Sequence, residues 1–215
     1  MPGRNKSEIL FRASDHTFWR RGIYVPGVSE IMRSMGLIDT SFLTNEGRQR
    51  GTDVHAALEK FDHGTLGEPD EWLLPWLAGW EQFCADYEVE HVSTEEICHN
   101  PTWWYAGIRD RKSFVKGTLT AIELKTGAKE HHHVAQTWAY ADAEPKVTQG
   151  IRVYLRPENK GKKYNVDFCN DVRDRDWFRH MSAAHNGKIK NEIWKIPETP
   201  MFDESENGKP QEVVA

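Results

Sequence analysis

At 215 residues the chain has the length of one domain with a sizeable core, since single cores commonly grow to ~250 residues before splitting. A hydrophobic fraction of 38%, a charged fraction of 28% and nine Trp argue against a chain disordered throughout. With 28 Lys plus Arg against 33 Asp plus Glu, the formal net charge of −5 argues against a passive nucleic-acid binder that is basic overall, so any such contact must be local.

The N-terminal MPGRNKSEILFRASD lacks the apolar stretch of a signal peptide, and nowhere does an apolar run approach the ~20 residues of a membrane span, so a soluble protein is expected. The first ~25 residues show no clear period. A short helix is predicted around Ile31, Met32 and Met35, after the break at Pro26-Gly27, with Ser29 able to cap it. A second helix is expected from about Thr44 to Phe61, where Val54, Ala57, Leu58 and Phe61 recur at helical spacing. The segment PDEWLLPWLAGWEQFCADY reads as a third, with Trp72, Trp76, Leu77, Trp80 and Phe83 as core and Pro75 as a kink or a late start.

Alternating and β-branched residues between Val92 and Lys125, with turn signals at Asn100-Pro101 and Lys116-Gly117, predict three strands. HHHVAQTWAYADA follows as a helix, GIRVYLRP and KKYNVDF as two strands, and DVRDRDWFRHMSAAHNG as a helix ended at Gly187. The order predicts an α/β fold, a sheet with helices on its faces. Residues 1–196 are expected to form one domain, with a helical part over about 28–88 and a sheet core over about 90–187; the polar tail 197–215 is expected to be disordered.

In TAIELK, strand alternation puts Glu123 and Lys125 on one face and Ile122 and Leu124 on the other. If Lys116-Gly117 is a two-residue turn, Val115 faces Thr118, and counting outward sets Asp110 opposite Glu123. Two carboxylates that close repel unless a cation lies between them. An oxygen-only pair suits Mg²⁺ or Mn²⁺. Lys125, one pleat away, can orient or deprotonate an attacking water, or offset charge in the transition state of phosphodiester hydrolysis. By itself the three-residue pattern is common and is better explained as an exposed hairpin with a solvated lysine.

The surrounding motifs are more specific. AGIRDR, AIELKTG and QTWAYA, taken together, resemble the RecB-like branch of the PD-(D/E)XK nucleases, which includes phage recombination exonucleases. Gly107 stands three residues before Asp110, Glu123 to Gly127 match E-x-K-T-G, and Gln136 and Tyr140 match Q-x-x-x-Y. Gly51 and His55 match G-x-x-x-H, and PGVSEIM is similar to the family's entry motif. The matches keep the family's order from about Tyr24 to Tyr140.

The resemblance implies a restriction-endonuclease-like core, a mixed central sheet flanked by helices. It implies that Asp110, Glu123 and the Leu124 main-chain carbonyl bind metal, that Lys125 is catalytic and that His55 is a further ligand, better suited to Mn²⁺ than to Mg²⁺. Glu96 is the expected acid reaching the metal through water, since Glu95 beside it should point the other way. Gln136 and Tyr140, one helical turn apart, would touch a DNA strand or hold Lys125, with His132 one turn back. Arg48 and Arg50 are the better candidates for phosphate contacts; alternation turns Arg109 and Arg111 to the face opposite Asp110. The run His131 to His133 reads as a solvated turn, and Trp103, Trp104 and Tyr105 as packing.

By resemblance the substrate is DNA and the activity that of a stand-alone exonuclease in phage or bacterial recombination or repair. A structure-specific endonuclease and a non-catalytic DNA-binding module are the alternatives. Homo-oligomers and a single-strand annealing or recombination protein are the expected partners. Cys84, Cys98 and Cys169 are too few for the four-cysteine iron–sulfur cluster of some relatives, and they carry no C-x-x-C pair, which suits a reducing cytoplasm. No G-x-x-x-x-G-K-[ST] phosphate loop is present, so no helicase function is expected.

Overall fold

The structure, a computed structural model, describes residues 9–38 and 44–198. The expected disordered tail lies, from residue 199 onward, outside the described residues. Ahead of the first helix, β1 (Ile9–Arg12), β2 (Thr17–Arg20) and β3 (Ile23–Val25) pair as an antiparallel sheet. Each strand holds only three or four residues, too few for a period to emerge from the sequence. Buried Phe18 and Val25 pack this sheet on Ala106 of the larger one.

α1 (Val28–Ser34) begins after Gly27, whose N–H donates to the Glu30 carboxylate at 3.2 Å. Glu30 also accepts from the Tyr24 hydroxyl, from Trp194 Nε1 at 2.8 Å and from His185 Nε2 at 3.0 Å, joining β3 and α1 to the C-terminal part of the chain. Burial would raise its pKa, but the hydrogen bonds from His185, Tyr24 and Gly27 outweigh burial and hold it below the usual 4.5. A depressed carboxylate pKa stabilises the fold above the unfolded value, and that contribution is lost as pH falls through the folded one. Glu30→Gln should therefore lose about 1–3 kcal/mol at pH 7, with a smaller deficit below pH 4. Urea unfolding at the two pH values tests this; an equal deficit at both would rule out the carboxylate charge as the cause.

α2 (Asn45–Asp62) opens on Thr44, whose hydroxyl accepts the Gly47 N–H at 3.0 Å. Val54, Ala57 and Leu58 are buried, whereas Phe61 at the helix end is partly exposed. A 3-10 turn (Glu71–Leu73) precedes α3 (Leu74–Asp86), so Pro75 falls in the first turn, where its missing N–H costs nothing. Trp72 consequently lies outside the helix and is 43% exposed, contrary to its expected place in the core. Trp76, Leu77, Trp80 and Phe83 are buried.

The main sheet runs β4 (Val89–Asn100), β5 (Tyr105–Val115), β6 (Thr118–Lys125), β7 (Gln149–Leu155) and β8 (Tyr164–Phe168), in that order. Only β6 and β7 are parallel, and α4 (His132–Asp142) is the crossover between them. α5 (Val172–Lys190) continues through Gly187, its expected end. Val28 and Ile31 of α1, Trp138 of α4 and Phe178 of α5 share one core cluster with Ala121. Leu58 of α2 and Trp80 of α3 share the other with Ile122, Leu124 and Val153. The fold is thus a mixed α/β sheet with helices on both faces, as the order of elements led one to expect.

Gly107 is where α1 and α4 come closest to β5. A Cβ there would meet Tyr140 Cε1 at 2.6 Å and Val28 Cγ2 at 3.2 Å. Gly107→Ala is expected to cost about 1–3 kcal/mol through overpacking. Thermal unfolding checks it, and an unchanged midpoint would mean that the Tyr140 ring yields freely.

Candidate metal centre

Lys116 and Gly117 have φ of 46° and 76°, the positive pair a two-residue hairpin demands. The resulting register pairs Val115 with Thr118 and continues to Arg111 with Ile122. One further step sets Asp110 against Glu123, and there the paired ladder ends. Side chains take over from main-chain bonds: the Leu124 N–H donates to Asp110 Oδ2 at 2.8 Å, and the Asp110 N–H points to Glu123 Oε1 at 3.5 Å. β5 stays paired with β4 as far as Tyr105, so β5 and β6 diverge at the two acids.

On the other side of β5, the pairs Thr94 with Arg111 and Glu96 with Arg109 bracket Glu95 opposite Asp110. Glu95 has φ 44°, a left-handed backbone that costs a non-glycine residue about 1–2 kcal/mol. Strict alternation breaks at this level. Arg109 donates to the Tyr140 carbonyl of α4 and to Glu96 and Glu144, whereas Arg111, two residues on, donates to Asp62 of α2. Alternation had turned both arginines to one face; the structure buries them on opposite faces.

The same distortion reverses the expectation for the acids of β4. His55, Glu95 and Asp110 each offer a ligand atom, all within 4.8 Å of one another. Glu96 is held elsewhere, by Ser93 Oγ at 2.7 Å, Arg109 Nη2 at 2.6 Å and Lys112 Nζ at 3.0 Å. Burial alone would raise the Glu96 pKa, yet Lys112, Ser93 and Arg109 bring it down to about 2. Glu95 goes the other way, to about 8, through burial and the nearby Asp110 carboxylate.

Glu123 is almost fully buried, and burial together with Asp110 raises its pKa to about 7 against the pull of Lys125. Its carboxylate turns to Lys125 Nζ at 2.9 Å, and Gln136 Oε1 accepts from the same ammonium at 3.0 Å. Burial would lower the Lys125 pKa, but Glu123 and Asp110 raise it on balance, so the ammonium stays charged. Tyr140 is buried, beside Gln136, with no surface to offer a strand. His55 Nδ1 lies 3.7 Å from Asp110 Oδ1. Burial lowers the pKa of this imidazole, keeping it neutral and able to act as a ligand.

Arg48 and Arg50 are exposed near the start of α2. Cys84, Cys98 and Cys169 are free thiols. Asp62 was not singled out from the sequence, and Arg111 was weighed only as a phosphate contact turned away from the site. Arg111 Nε donates to Asp62 Oδ2 at 2.5 Å, while Nη1 reaches the Asp110 carbonyl at 2.7 Å and Glu95 Oε1 at 3.2 Å. This guanidinium ties the C-terminal end of α2 to two members of the cluster.

The donor set suits a hard divalent cation: carboxylate oxygens, one neutral imidazole, and Glu95 and Glu123 carboxyls whose pKa values are raised by burial and by the neighbouring Asp110, a repulsion a cation would relieve. No thiol is among the ligand atoms.

No family model matches the chain, and no curated protein matches it. Among solved structures it aligns with LHK-Exo in complex with dAMP, at 14% identity over 79% of this chain and 89% of that one, with a TM-score of 0.40. SSO0001 aligns at 15% identity over 81% of this chain and 87% of that one, with a TM-score of 0.33. No described helix is long and apolar enough to cross a membrane.

Proposed function

We propose that the chain is a metal-dependent deoxyribonuclease of the RecB-like PD-(D/E)XK type that hydrolyses phosphodiester bonds as a stand-alone exonuclease. The observation that carries this reading is the convergence of His55, Glu95 and Asp110 within 4.8 Å, beside the buried Glu123–Lys125 pair. His55, Asp110 and Glu123, with the Leu124 carbonyl, would hold Mg²⁺ or Mn²⁺. Glu95 takes the place expected of Glu96.

When bound, such an ion supplies Lewis-acid polarisation of the scissile phosphate. Lys125 contributes a fixed positive charge to the phosphoryl oxygens as negative charge builds up in the transition state. Its raised pKa favours this electrostatic role over deprotonating water. Gln136 and Glu123 fix the ammonium by two hydrogen bonds, so little reorganisation is needed as the reaction proceeds. Arg48 and Arg50, exposed on α2 ahead of His55, would follow the DNA backbone.

Digestion of end-labelled linear DNA and of circular DNA with Mg²⁺ or Mn²⁺ tests the reading. Linear DNA is expected to be shortened from an end while circles survive. Cutting of circles would transfer the assignment to an endonuclease, and failure to cut any form would leave a non-catalytic DNA-binding module.

A further inference from the structure

We infer that a second pocket, one strand away from the metal cluster, binds a phosphate group. A cavity of about 240 Å³ is lined by Lys129, His131, Val134, Arg152, Tyr154 and Asp167, together with Glu130. None of the residues of the metal cluster lines it. Through the parallel pairing of β6 and β7, Arg152 is the neighbour of Glu123, and Tyr154 that of Lys125.

Two independent features give the pocket its chemistry. Arg152 is only 8% exposed, yet among the described residues no carboxylate lies within 4.0 Å of its guanidinium. Its hydrogen bond goes from Nη1 to the Cys169 thiol at 3.0 Å, a weak acceptor for a buried cation. Asp167, its partner across β7 and β8, is engaged by Lys129 Nζ at 2.7 Å. A buried charge without a counter-charge is costly, which is the usual mark of a site completed by a ligand.

The second feature is the start of α4. The N-cap residue His131, just before the helix, makes no side-chain cap, and residues 130, 131 and 134 line the pocket, so the positive end of the helix dipole borders the cavity. A planar guanidinium and a helix start suit a multi-oxygen anion such as phosphate, which would draw Lys129 away from Asp167 and sit with its oxygens turned from the Glu130 and Asp167 carboxylates. Large enough to admit such a group, and one strand from Lys125 through Tyr154, the pocket would take a phosphate of the nucleic acid next to the one being cleaved. That last identification rests on the nuclease reading, whereas the affinity for phosphate does not.

The test is a titration of the full chain, stripped of metal by chelation, with inorganic phosphate and then with a 5′-phosphorylated oligonucleotide, followed by amide NMR shifts. Saturable shifts confined to residues 129–134 and to β7 are expected, weakened about tenfold by Arg152→Gln, the loss of one charge-assisted contact. Lys129→Gln, at an exposed rim position, should weaken binding a few-fold and serves if Arg152→Gln fails to fold. Absence of shifts, or equal shifts in both variants, overturns the site, with Asp167 then the natural partner of Arg152. Shifts with phosphate but none with the oligonucleotide overturn the nucleic-acid assignment alone. DNA digestion by the wild-type chain decides the nuclease reading separately.

Discussion

Lys125→Ala and Asp110→Asn are each expected to lower metal-dependent DNA cleavage by about 100- to 1000-fold, the usual loss when one fixed electrostatic contact to a transition state is removed. The two variants should part company in metal binding. Asp110 offers a ligand atom to the cluster, so its amide should weaken Mn²⁺ binding as well as cleavage. Lys125 touches Glu123 and Gln136 and carries a positive charge, so its loss should leave Mn²⁺ affinity intact or slightly raised while cleavage collapses. Lys125 is 13% exposed, and alanine there admits water to the oxygens it leaves behind, so the fold should survive. Calorimetric Mn²⁺ titration beside the digestion assay separates the cases. Cleavage by Lys125→Ala within a few-fold of wild type would remove the lysine from the mechanism.

How far the sequence led to this site depended on whether local rules held. The Lys116-Gly117 turn dictates its own geometry, and from it the register of β5 and β6 followed by counting as far as Arg111 with Ile122. Beyond that pair the rules stop applying, because the strands separate and the acids replace main-chain partners. Alternation along β4 favoured Glu96, since nothing in the residues themselves announces the positive φ of Glu95. That conformation falls between the β5-paired residues Thr94 and Glu96, an arrangement a local sequence window does not reveal. Distance in sequence hid the pairing of Asp62 with Arg111 likewise: 49 residues separate two side chains that meet only once α2 packs on the sheet. The N-terminal sheet was missed for a different reason, strands too short to show a period. Helical spacing located α2, which spans several turns with one buried face, whereas α4, buried without a break from Thr137 to Ala141, was legible from its alanine content.

Asp62→Ala should be the most destabilising single change considered, by about 3–5 kcal/mol, the cost of breaking a buried ion pair by removing one partner. Asp62 and Arg111 are both essentially inaccessible, and Asp62 also accepts from Trp80 Nε1 at 2.6 Å, with His91 Nε2 at 3.3 Å. Removing the carboxylate takes away the Arg111 Nε acceptor and the partner of Trp80 Nε1, and leaves the guanidinium only Glu95 and the Asp110 carbonyl at Nη1. Removing both charges is a different matter. Asp62→Leu with Arg111→Met fills the space without a buried ion, so the double variant should recover much of the loss, as buried pairs exchanged for packed apolar groups often do. Function should not recover with it. Arg111 also bonds the Asp110 carbonyl and the Glu95 carboxylate, so its absence frees two members of the cluster. The expected pattern is a near-restored unfolding midpoint in urea with Mn²⁺ affinity still reduced. If affinity returns with stability, Arg111 serves the fold alone; if neither returns, the pair is not replaceable by packing, and the sheet requires that charge at the place where β5 changes face.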